Sequence, residues 1–64
     1  MAKTTKATVT LPVGYTTLNV RETPDGKVVG TLPNGEAVKV QLVENGWAQL
    51  SARRFVKSEF LKFG

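Results

Sequence analysis

The residues of this chain that could do chemistry are few, and the two commonest workers are missing. Neither histidine nor cysteine occurs, which removes the usual general base, the usual transition-metal ligand and any thiolate nucleophile. A nucleophilic site would have to be built from Ser51 or Ser58 with a lysine, or from a carboxylate pair. Glu22 and Asp25 are the only acids near one another, and they sit at a turn signal, Thr23-Pro24-Asp25-Gly26, where solvated carboxylates are the ordinary occupants. The sequence therefore points away from an enzyme, with no catalytic residue, no metal site and no cofactor expected.

Recognition chemistry is better supplied. Exposed aromatics flanked by charge are the usual anchors of a binding surface, and Trp47 is the first candidate, with Tyr15 and Phe63 beside it. Two roles fit Trp47: a ligand platform, or a cover over the outer core beneath the N-terminal segment. Tyr15, in Gly14-Tyr15-Thr16-Thr17, offers a flat face and a hydroxyl, or else plugs one end of the fold. Phe63 is either exposed or completes the last strand. Arg53 and Arg54 are adjacent, and with Lys57 and Lys39 they would make a basic patch suited to carboxylate or phosphate, unless they only solvate a hairpin tip.

The elements that must hold these side chains are strands. Turn signals ending in Gly26, Gly35 and Gly46 recur 9 and 11 residues apart, the rhythm of short antiparallel strands in a sandwich or barrel, with each glycine available for a positive φ. Ala7, Val9 and Leu11 alternate with threonines; Leu18 and Val20 flank Asn19; Val38, Val40 and Leu42 alternate with Lys39 and Gln41. All three are patterns of half-buried strands. Asn45-Gly46 signals a hairpin. Its return strand places Ala48 and Leu50 on one face, Trp47 and Gln49 on the other. Ser58-Glu59-Phe60-Leu61 is short for an α-helix and suits a single 3₁₀ turn before a final edge strand. No window carries apolar residues at helical spacing over three turns.

The run Leu18-Asn19-Val20-Arg21 resembles the "LNVR" signature of bacterial SH3-like domains. The order that follows is similar too: Thr23-Pro24-Asp25-Gly26 as the loop, Val28-Val29-Gly30-Thr31-Leu32 as the "V-I-G-x-L" strand, and Asn34-Gly35 as the "K-G" turn. Val38-Lys39-Val40 with Gly46-Trp47 looks like the "V-x-V … G-W" hairpin, and Ser58-Glu59-Phe60-Leu61 like the terminal "S-x-Y-L". The resemblance spans about residues 7–62. It implies a small barrel of five to seven short antiparallel strands, running over residues 7–64; the Thr- and Lys-rich residues 1–6 ahead of it are expected to be a leader, mobile or loosely paired. It also implies a non-catalytic recognition module for a peptide, a protein partner or a cell-wall ligand of peptidoglycan type. Arg21, the signature arginine, is expected to brace the following loop through backbone carbonyls or a nearby acid. The sequence departs from the family pattern at Ala48, where an aromatic is common, and at Arg53-Arg54-Phe55-Val56, which replaces a Gly-aromatic-Val; both reduce the aromatic surface.

Composition narrows the partners. The 64 residues carry a net charge of +4. Without Lys3 and Lys6 the remainder holds seven basic and five acidic residues, net +2, so nucleic acid is disfavoured. No apolar run approaches the roughly 20 residues of a membrane helix, and the basic N-terminus lacks the apolar stretch of a signal peptide. If Met1 is the native start the protein is expected in the cytoplasm; otherwise it is part of a longer exported protein. The alternative to a recognition module is a small structural or assembly protein, of phage or mobile-element type, forming a homo-oligomer through barrel edges.

Overall fold

A computed structural model describes residues 4–64. Eight short strands run in order: β1 (Thr5–Val9), β2 (Thr17–Arg21), β3 (Val28–Pro33), β4 (Ala37–Val40), β5 (Leu42–Glu44), β6 (Trp47–Ser51), β7 (Arg54–Lys57) and β8 (Leu61–Phe63). A single 3₁₀ turn, Ser58–Phe60, separates the last two. Pairing is antiparallel throughout and gives a three-stranded sheet β4-β1-β8 and a five-stranded sheet β3-β2-β7-β6-β5. The ladders make an SH3-like pair of sheets joined through residues 37–44 rather than one continuously closed ladder. Among the described residues no helix is long and apolar enough to cross a membrane.

The core lies where the two sheets face each other. Ala7 and Val9 (β1), Leu18 and Val20 (β2), Val40, Ala48, Val56 and Leu61 are buried in one cluster, so the period-2 readings of β1 and β2 hold. The largest side chains completely buried are Val9, Val20 and Val56. Each contributes about 1.5–2 kcal/mol by area, which makes this a thin core with little margin.

Two expectations need correction. There are eight strands, not five to seven, and the alternation Val38-Val40-Leu42 fails at its third member: Val40 is 3% exposed, Leu42 52%. Both follow from a bend at Gln41. Up to Val40 the chain pairs with β1, Thr5 facing Val40. Gln41 N–H then donates to the Gln49 carbonyl at 2.7 Å, and Leu42 onward pairs with β6. Crossing between sheets rotates the strand, so the face that was inward turns out. At the N-terminus, β1 starts at Thr5, so Thr5 and Lys6 of the expected leader are paired with Val40 and Lys39; its first three residues lie outside the described residues.

Turn chemistry explains the connections, with one exchange of roles. Asn45 (φ 52°) and Gly46 (φ 81°) form the two-residue hairpin expected of Asn-Gly. In Thr23–Gly26 the positive φ is carried by Asp25 (φ 60°), not by Gly26. Gly26 is needed for a different reason: its N–H donates to the Thr23 carbonyl at 2.8 Å, and a Cβ there would collide with the Thr23 hydroxyl. Arg21 Nη1 donates to the Gly26 carbonyl at 2.8 Å, the brace expected of the signature arginine. The Pro33–Glu36 turn is tied to β1 by Gly35 N–H to the Val9 carbonyl and Val9 N–H to the Glu36 carbonyl, both 2.8 Å. Asn34 Oδ1 also accepts from Leu11 N–H at 3.0 Å.

Candidate functional site

Three local structures converge on a groove of about 250 Å³. The first is the Pro12–Tyr15 turn, closed by Tyr15 N–H donating to the Pro12 carbonyl at 3.2 Å. It delivers Tyr15 to the groove 66% exposed, so that ring plugs no end of the fold. The second is the Asn45-Gly46 hairpin, which starts β6 at Trp47. The third is the 3₁₀ turn carrying Phe60, held to that hairpin by Ser58 N–H donating to the Gly46 carbonyl at 3.0 Å.

Trp47 is half-buried and lines the groove with Tyr15 and Phe60, while Leu11 and Leu18 add aliphatic surface. Trp47 thus borders the open groove while remaining partly covered. Polar groups at the edge are few. Lys57, directly opposite Trp47 in the β6–β7 register, is exposed at the rim, and Thr17, Asn19 and Arg21 complete it. An aromatic trough with a handful of polar groups is suited to stacking on, and hydrogen bonding with, an extended ligand.

The other sequence candidates lie elsewhere. Arg53 and Arg54 share a second, shallow depression with Glu22, Val29, Ser51 and Ala52, which has no lining residue in common with the aromatic groove. Arg53 Nη1 approaches Glu22 Oε1 at 3.7 Å, with side chains 82% and 40% exposed; such a pair contributes under about 1 kcal/mol. The basic patch is thus divided. Lys57 belongs to the aromatic groove, and Lys39 is on β4 in the other sheet, facing Lys6. Phe63 is on β8 opposite Ala7, 42% exposed, and lines neither depression.

Leu11 and Leu18, read from the sequence as inward strand positions, and Phe60, read as part of the 3₁₀ turn, are groove residues that the sequence did not mark as site candidates. Phe60 was open to discovery as the aromatic of a 3₁₀ turn that must fold back on the Gly46-Trp47 hairpin. Leu11 gave no such signal, because an alternating strand pattern ends at it. A family model described as bacterial SH3 domain matches residues 16–62, leaving Leu11 and Tyr15 outside the matched span. No curated protein and no solved structure matches the chain.

Proposed function

The chain belongs to the bacterial SH3 domain family, a family of binding modules, and from that premise we propose that it is a non-catalytic recognition module. Its ligand is a peptide-bearing one: a peptide, a segment of a protein partner, or a cell-wall glycopeptide of peptidoglycan type. The observation that carries this reading is the shared groove of Tyr15 and Trp47. A strongly exposed tyrosine and a half-buried tryptophan lining one groove give aromatic surface on which a backbone or a sugar ring can pack, and Lys57 supplies a cation at the rim. The catalytic alternative is disfavoured by the absence of histidine and cysteine from the sequence.

The experiment is a titration with soluble disaccharide-peptide fragments of peptidoglycan and with short uncharged and charged peptides, followed by fluorescence of the single tryptophan. Saturable change for one ligand class, weakened about tenfold or more by Tyr15→Ala, supports the proposal. A ligand that binds without affecting Trp47 emission, or equally well to Tyr15→Ala, sinks it.

A second reading, assembly through an edge of the sheets, has a specific observation in its favour: Leu42 and Val43 are about half exposed on edge strand β5. The opposite edge, β3, is blunted by Pro33 and by a bulge at Val29. Sedimentation equilibrium separates the readings: a species near 7.0 kDa keeps the recognition module, and a defined oligomer favours assembly.

A further inference from the structure

The depression at the tip of the β6–β7 hairpin has a chemistry of its own. Val29 is 46% exposed, and a bulge in the β2–β3 register leaves it without a cross-strand partner, Val20 facing Gly30 and Arg21 facing Val28. A second bulge, at Leu50, sets the two-residue turn that carries Ala52 and Arg53 and puts Arg54 opposite Ser51. The guanidinium of Arg54 then reaches across to β3. Its Nη1 is 3.8 Å from where a Cβ on Gly30 would stand. The result is a depression in which aliphatic Val29 and Ala52 share the lining with Arg53 and Arg54, beside Ser51 and Glu22.

Those arginines are available. Among the described residues no carboxylate pairs with Arg54, and Arg53 has only the long, exposed contact to Glu22. We infer that this depression is a carboxylate-binding site for a peptide segment bearing an aliphatic side chain beside its acid. The planar guanidinium of Arg54 takes the carboxylate through two parallel N–H donors, Arg53 joins it on release from Glu22, and the aliphatic group rests on Val29. A nucleic-acid backbone is the poorer fit, since the lining holds two cations against one carboxylate and part of it is aliphatic. The site is independent of the aromatic groove and stands or falls separately.

The test is a titration of ¹⁵N-labelled protein with N-acetylvaline (an α-carboxylate), N-acetylvalyl-glutamic acid α-amide (a free side-chain acid), and N-acetylvalinamide (no acid), read by amide chemical shifts. Saturable shifts confined to residues 22, 29–30 and 51–54 are expected for the acids and not for the amide; the tighter acid identifies a chain end or a side chain as the source. Arg54→Gln weakens binding by about tenfold or more, and Glu22→Gln, which frees Arg53, tightens it about two- to fivefold. Equal shifts from the amide, shifts scattered over Lys27, Lys39 and Lys62, shifts centred on Tyr15 and Trp47, no saturable shift with either acid, or weaker binding in Glu22→Gln would each overturn the inference.

Discussion

Replacing Arg21 by methionine removes one contact and keeps the unbranched stem. The contact is the 2.8 Å bond from Nη1 to the Gly26 carbonyl, which closes a loop whose own backbone is awkward: Asp25 holds φ 60°, a conformation that costs a non-glycine residue about 1 kcal/mol or more. Hydrogen bonds from a charged donor contribute about 1.5–3 kcal/mol. Arg21 is half-buried, so water substitutes in part and the low end, about 1.5 kcal/mol, is expected. In a domain of this size each kcal/mol lowers Tm by about 4–8 °C, so Arg21→Met should unfold about 6–12 °C below the parent in a circular-dichroism melt. Amide exchange localises the effect. Glu22 N–H, bonded to the Lys27 carbonyl, and Gly26 N–H, bonded to the Thr23 carbonyl, should exchange faster relative to Val20 and Val56. An unchanged Tm, or acceleration spread evenly over the core amides, would refute the idea that this arginine acts by bracing the loop.

Two further perturbations probe the core and the hairpin. Val56→Ala deletes two buried methyl groups from a residue with 0% exposure and should cost about 2–3 kcal/mol including the cavity; with about 3–5 kcal/mol available to so small a core, chemical denaturation should show a population already unfolding at room temperature. Gly46→Ala places a Cβ at φ 81° and should cost about 1–2 kcal/mol in the same assay, whereas Asn45→Gly, at φ 52°, should stay within about 0.5 kcal/mol of the parent.

Local rules carried much of this fold, and where they failed a longer-range contact was responsible. Asn45-Gly46 demands its hairpin in any context, and Ala7, Val9, Leu18 and Val20 are buried because alternation leaves them one apolar face. The segment 38–42 shows the same alternation, yet Leu42 is exposed. The bend at Gln41 is set by the Gln49 carbonyl on another strand, which no local window contains. Gly26 and Asp25 exchanged roles because the turn signal marks the loop but not which residue takes the positive φ, Asp25 here, while Gly26 is needed for the close approach of Thr23.

The candidate site was visible in parts. Tyr15 and Trp47 could be named because large aromatics outside the inward-facing set are few, and both line the groove. Their meeting depends on the 3₁₀ turn folding back on the hairpin, which also brings Phe60 to the trough. The basic residues read as one patch because they are close in sequence. Lys57 and Arg54 lie only three positions apart, yet at the two ends of β7 they serve different depressions, and Lys39 belongs to the other sheet.

The claim at the centre of this account is that ligand lies between Tyr15 and Trp47, and its most direct test is to map a bound ligand on the chain. With a saturating disaccharide-peptide fragment or the best peptide from the fluorescence titration, intermolecular nuclear Overhauser contacts should fall on the rings of Tyr15, Trp47 and Phe60 and on the Leu11 methyls. Contacts that instead fall on β5 or β8, with those three rings unaffected, would contradict it and relocate the binding surface to a sheet edge.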